Sequence, residues 1–136
     1  MARTYVLDAS AALDFLEDGP GAERVEQLFK EAVHRSTWLL ISVANWGEVF
    51  YHQWQQRGEE TARRAMAGLT RLPLEIVAVD LAQAMKAGEL KAVHKVPYVD
   101  CIAAALALQH RATLVTSDRD FEKLGRQFPV LWLGRS

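Results

Sequence analysis

The chain has 136 residues, half of them hydrophobic, which suits a single domain over 1–136 with a sizeable core. A formal net charge of −1 speaks against a duplex-binding protein, though it leaves room for an enzyme that touches a few phosphates. One cysteine, Cys101, excludes an internal disulfide and a thiolate metal site.

The predicted elements alternate. "TYVL" (4–7) reads as a short buried strand, and "ASAALDFLE" (9–17) as a helix stopped by Gly19-Pro20-Gly21. Residues 22–35 place Val25, Leu28, Phe29 and Ala32 at helical spacing. "WLLIS" (38–42) is a second strand. Ser42 is placed to cap the helix "VANWGEVFYHQWQQR", which Gly58 closes. A polar-faced helix ends before Pro73, "EIVAV" (75–79) is a third strand, and a helix follows over about 81–95. Pro97 opens another helix to residue 110. "ATLVT" (112–116) is a fourth strand, a short helix follows Asp118, and "VLWL" (130–133) is a fifth strand. The pattern predicts an α/β domain with a mostly parallel sheet of about five strands. "MARTYVLDAS" reaches an acid too early for a signal peptide, and the longest apolar run, 101–108, is too short to span a bilayer. The expectation is a soluble, cytoplasmic protein without a membrane partner.

Most of the seventeen acids read as solvated helix faces, and Asp14, which interrupts an apolar helix, can face outward. Asp8, Glu48, Asp80, Asp100 and Asp118 instead sit in apolar company. Asp8 and Asp118 each follow a strand and precede a helix, and ligands of open parallel sheets gather outside the carboxyl ends of strands. Asp100 opens a helix whose next eight residues are apolar. Glu48 shares a helix stripe with Asn45 and His52, opposite Val43, Trp46, Val49, Phe50 and Trp54. Taken singly, each aspartate is explained as a helix cap or first-turn acid, and Asp80 needs nothing more. Glu48 has no cap to make, and a solvated face is its plain alternative. Jointly, Asp8, Glu48, Asp100 and Asp118 on one sheet edge repel each other, and a divalent cation relieves that repulsion. All-oxygen ligation suits Mg2+ or Mn2+, the ions of phosphodiester cleavage by metal-activated water.

The order "VLDASAAL", "SVANWGEVF", "YVDCIAAALA" and "TLVTSDRDF" resembles the PIN domain, and within it the VapC-type toxins of toxin–antitoxin pairs. The resemblance covers almost the whole chain. It implies a three-layer α/β/α sandwich and a cytoplasmic Mg2+-dependent endoribonuclease, able to use Mn2+, that inhibits translation when freed from its antitoxin. It places catalytic and metal-binding roles on Asp8, Glu48, Asp100 and Asp118. Ser10 and Asn45 match the residues that accompany the first two acids. Thr116 or Ser117 would hold neighbouring carboxylates by hydrogen bonding. Asp120 matches a further acid that either supports the site or merely opens the following turn. The implied partners are an antitoxin, RNA and a second copy of the chain. Cys101 departs from the small residue usual at its position, a change compatible with packing.

Other readings remain open beside it. A catalytically idle PIN scaffold would bind RNA or protein without cutting. An aspartate-nucleophile phosphatase would want a second aspartate where Ser10 stands. A receiver-type module would want an acidic pair near the first strand and a lysine where Asp118 stands. Arg57, Arg63, Arg64 and Arg71, and separately Lys86, Lys91 and Lys95, are candidates for phosphate contacts or plain solvated faces. Trp38, Trp46, Trp54 and Trp132 read first as core or interface residues, ahead of base stacking.

Overall fold

A computed structural model describes residues 3–134. Five strands form one parallel sheet: β1 (Arg3–Leu7), β2 (Thr37–Ser42), β3 (Leu74–Val77), β4 (Thr113–Thr116) and β5 (Val130–Trp132). Their spatial order is β3-β2-β1-β4-β5, every neighbouring pair parallel. Six α-helices connect them: α1 (Ala9–Leu16), α2 (Ala22–Val33), α3 (Val43–Arg57), α4 (Glu59–Leu69), α5 (Leu81–Val93) and α6 (Tyr98–His110). A 3-10 turn, Arg119–Leu124, joins β4 towards β5.

Parallel strands buried on both faces read as continuous apolar runs, and their side chains alternate between two cores. Val6, Leu40 and Leu114 point to one face, where Ala103, Leu106, Leu90, Phe121 and Leu124 pack from α6, α5 and the 3-10 turn. Tyr5, Leu7, Leu39, Ile41 and Val115 point to the other, against Ala12, Leu28, Val49 and Leu69 from α1, α2, α3 and α4. The result is the expected α/β/α sandwich. In α6 all residues from Asp100 to Ala107 are buried. Its alanines let the helix lie close to the sheet and to α5 at once.

Local chemistry sets the boundaries. The Ser42 hydroxyl accepts from the Ala44 amide at 3.2 Å, so β2 turns directly into α3. Gly58 (φ 89°) stops α3 and opens α4 in a backbone conformation that favours glycine. Asp80 caps α5, accepting from the Gln83 amide at 2.8 Å, and that bond and a second from Gln109 hold its carboxyl below the ordinary range. Pro97 stands at the N-cap of α6. Helix α5 stops at Val93, short of the expected residue 95, which leaves Lys95 in the α5–α6 connection. Among the described residues no helix is long and apolar enough to cross a membrane.

Candidate functional site

The chain lays down β2 and β3 on one side of β1, then β4 and β5 on the other, so the winding reverses between β1 and β4. A crevice forms at the carboxyl ends of strands where such a reversal occurs. Leu7 pairs with Val115 there, and the Asp8 amide donates to the Val115 carbonyl at 3.2 Å. Asp8 follows β1 directly, and Asp118 lies just beyond Thr116 at the end of β4.

Asp8 is buried and fully engaged. Its Oδ1 accepts from Ser10 Oγ at 2.7 Å and from the Ala11 amide at 3.0 Å, and its Oδ2 accepts from Thr116 Oγ1 at 2.6 Å. Each hydroxyl has one proton, and both protons go to Asp8. The 3.1 Å approach of Ser10 Oγ to Thr116 Oγ1 is therefore a close contact without a proton of its own. Each hydroxyl also accepts: Ser10 Oγ from the Ser117 amide at 2.9 Å, and Thr116 Oγ1 from the Asp118 amide at 2.9 Å. Asp118 Oδ1 in turn accepts from the Asp120 amide at 2.9 Å and caps the 3-10 turn. Asp8 and Asp118 thus cap helical turns at the carboxyl ends of β1 and β4, beside the crevice.

Helix α3 brings Asn45 and Glu48 one turn apart on its inner side. Asn45 is fully buried and donates from Nδ2 to Glu48 Oε1 at 3.3 Å, while its Oδ1 is buried without a donor. His52 is turned away to Glu17, at 3.7 Å, where Gln53 also donates at 2.9 Å. Asp100 enters from the first turn of α6, 7 % exposed.

Burial pushes the Asp8 carboxyl up to about 6, against the lowering effect of its hydrogen bonds to Thr116, Ser10 and Ala11. Burial also pushes Asp100 up to about 7, helped by the negative charges of Asp118, Asp8, Glu48 and Asp120 in that order. Glu48 is raised by burial and by Asp118, partly offset by Asn45. Carboxylate oxygens of Asp100, Asp118 and Asp120 all lie within 4.8 Å of one another. The donor set is hard, anionic and all oxygen, and the buried acceptor Asn45 Oδ1 adds to the negative potential. These residues fit a divalent cation that prefers oxygen ligands.

The sequence candidates Asp8, Glu48, Asp100 and Asp118 therefore share one electrostatic site. The tight three-oxygen group, however, contains Asp120 and contains neither Asp8 nor Glu48. The family resemblance matches Asp120 to a further acid and leaves its role open. The convergence of Asp120 depends on the curl of the 3-10 turn, which the sequence does not specify.

Other expectations change. Asp14 is half-buried, and its Oδ2 accepts from the Gly21 amide at 3.1 Å, which ties it to the α1–α2 turn. The apolar stripe of α3 is closed only at Val49, with Val43 and Trp54 exposed and Trp46 and Phe50 half-buried. No tryptophan is fully buried, but Trp46 and Trp132 pack half-buried against the two cores. Trp38 and Trp54 are exposed, Trp38 donating to Glu75 at 3.0 Å, and Trp132 lies under the Arg119 guanidinium at 4.3 Å. Arg63 and Arg64 pair with Glu59 and Glu60 along α4. Cys101 is buried and free, as packing requires.

A parallel sheet with this reversal, carrying acids at the β1 and β4 ends and on two flanking helices, defines a class of small acidic-site α/β domains. The PIN domain family model matches residues 5–127, and the chain belongs to that family. No curated protein matches it in sequence. Among solved structures it is similar in fold to VapBC2 from Rickettsia felis, described as bound to a promoter DNA fragment. The TM-score is 0.76 at 18% identity, over 96% of this chain and 98% of that one. DNA-bound VapBC from Salmonella typhimurium gives 0.76 at 20% identity, over 96% and 98%. VapC20 of Mycobacterium tuberculosis, described as a toxin that cleaves the sarcin-ricin loop, gives 0.71 at 16% identity, over 89% and 95%.

Proposed function

We propose that the chain is a Mg2+- or Mn2+-dependent endoribonuclease, the toxin of a toxin–antitoxin pair, whose cutting of RNA inhibits translation. The observation that carries this reading is the field around Asp100. A carboxyl pushed to about 7 by burial and four neighbouring acids is an arrangement that a divalent cation relieves. The similarity in fold to VapBC proteins and to an RNA-cleaving VapC supports the same reading.

Asp100, Asp118 and Asp120 would hold the ion, with Asp8 and Glu48 alongside. When bound, the ion supplies an activated water and stabilises charge on the scissile phosphate. Ser10 and Thr116 fix Asp8 from both oxygens, so its carboxylate does not rotate when substrate enters. Asn45 holds Glu48, whose raised affinity for protons suits it to accept one from the attacking water. In-line attack leaves a 5′-phosphate and a 3′-hydroxyl. The family resemblance supplies the remaining partners, an antitoxin and a second copy of the chain, and a cytoplasmic setting.

The test pairs stability with cleavage. The antitoxin-free protein is melted in EDTA and in Mn2+, then incubated with mixed cellular RNA in each. The expected result is a higher Tm in Mn2+ and metal-dependent fragments bearing 5′-phosphates, both lost in Asp100→Asn. A gain in Tm with no cleavage of any RNA would favour the idle scaffold. Cleavage that persists in EDTA would overturn the mechanism.

A further inference from the structure

Polyanionic RNA approaching five acids is repelled until cations outside the cluster hold it. A cleft of about 540 Å3 opens beside the acids, between the α5–α6 connection and the 3-10 turn. Lys91, His94, Lys95 and Pro97 line it on one side and Asp120 on the other. Asp120 is also a member of the three-oxygen group with Asp100 and Asp118, so the cleft and the acid site share a wall. Lys123 bridges the shared wall: its Nζ lies 3.3 Å from the Asp120 carboxylate and 3.4 Å from the Lys95 carbonyl, to which it donates.

The charges in the cleft are uncommitted. Lys91 and Lys95 are exposed, and neither has a carboxylate within 4.0 Å among the described residues. Lys30, Arg63, Arg64, Lys86 and Arg119 are all paired with acids on their own helix or turn. Arg24, Arg57 and Arg71, like Lys91 and Lys95, are without a carboxylate partner among the described residues, but of these cations only Lys91 and Lys95 line the cleft that Asp120 shares with the acid site. A chain of net charge −1 lacks the strongly basic face of a duplex binder. Ammonium groups read phosphates as point charges, without reading bases.

We propose that this cleft carries the phosphate backbone of single-stranded RNA beside the scissile bond, with Lys91 and Lys95 as its phosphate contacts. The assignment rests on the ribonuclease reading above. Helix α6 makes the geometry rigid, because Pro97 starts the helix that delivers Asp100 and ends the loop that displays Lys95. A strand lying in the cleft therefore enters the acid site past Asp120.

The test uses the full chain, a Lys91→Ala/Lys95→Ala double variant, and Lys30→Ala from the opposite layer as a control. Binding of a short fluorescein-labelled single-stranded RNA is read by anisotropy in EDTA across a salt series, and KM is read in Mg2+. Each phosphate contact on a single strand contributes about 0.7 to the slope of log affinity against log salt, so the double variant should lose ~1.4 of slope. Its affinity at low salt should fall about tenfold, with KM rising in step and kcat held, while Lys30→Ala matches wild type. A double variant with wild-type slope and KM overturns the cleft assignment and leaves the ribonuclease reading standing. A wild type that neither binds nor cuts RNA overturns both. A double variant that keeps RNA but loses a poly-glutamate peptide assigns the cleft to an acidic protein partner instead.

Discussion

Thr116 donates its only hydroxyl proton to Asp8 at 2.6 Å, across 108 residues of sequence, and accepts the Asp118 amide at 2.9 Å with the same oxygen. One buried side chain thus ties the ends of β1 and β4 together and sets the position of both acids. Thr116→Val keeps the shape and removes both bonds. The expected loss of stability is about 1–3 kcal/mol, because a buried carboxylate and an amide lose their partners. Since the Thr116 bond lowers the Asp8 carboxyl, the acid limb of a pH–rate profile should move to higher pH. A profile identical to wild type would show that Asp8 titration does not limit activity.

Stability without metal should fall as pH rises. Asp8 and Asp100 start from an ordinary value of 3.8 in the unfolded chain and reach about 6 and about 7 when folded. Between these values the folded protein binds more protons than the unfolded one, so stability declines with increasing pH. Melts in EDTA should give a higher Tm near pH 5 than near pH 8, through the window set by those two groups. A Tm rising across that window would mean that the carboxyls are not raised.

Asp100→Asn removes the charge on which the others press. It should raise the metal-free Tm at pH 8 and flatten the dependence on pH, while abolishing the increase on adding Mn2+. Calorimetric titration with Mn2+ checks the last point directly, without RNA present. Destabilisation in EDTA would argue that Asp100 is held by bonds of its own and not strained by its neighbours.

The α1–α2 turn has no room for a methyl group at residue 21. A Cβ there would meet Asp14 Oδ2 at 2.6 Å and Leu133 Cβ at 2.7 Å. Gly21→Ala should cost about 1–3 kcal/mol, read by denaturant unfolding, with metal binding unchanged. Gly68→Ala, where nothing lies within 4 Å of the added carbon, serves as the tolerant comparison.

In the core between the sheet and α6, Leu40→Ala should cost about 2–5 kcal/mol, since the side chain is fully buried among Val6 and the α6 alanines. A cost well below that range would mean that α6 shifts to close the cavity, and the position of Asp100 would then shift with it.

The sequence made most of the frame legible, because short apolar runs bounded by Ser42, Gly58, Pro73 and Pro97 leave few alternatives for where elements begin and end. The acids of the site stood out for a related reason: Asp8, Asp100 and Asp118 interrupt segments that are otherwise buried. What the sequence withheld depends on side-chain direction within a turn. The sequence leaves Asp120 open between a supporting acid and a first-turn residue, and only the curl of the 3-10 backbone brings its carboxylate close to those of Asp118 and Asp100. The α3 stripe of Val43, Trp46, Val49, Phe50 and Trp54 has helical spacing whether or not another element covers it. Its partner α4 is a polar-faced helix that leaves Trp54 and Val43 in solvent. Periodicity reports which residues share a face, and not how much of that face is covered.

The strand order β3-β2-β1-β4-β5 puts the earliest strand in the middle of the sheet, with one neighbour from residues 37–42 and the other from residues 113–116. Pairing across so long a loop is entropically slow, and local helices form well before it. A growing chain therefore carries Asp8 and Glu48 long before it has Asp118 to set beside them. The acids come together only once residue 118 has been made and β4 has paired with β1, so the site belongs to the assembled sheet and to no shorter segment of the chain.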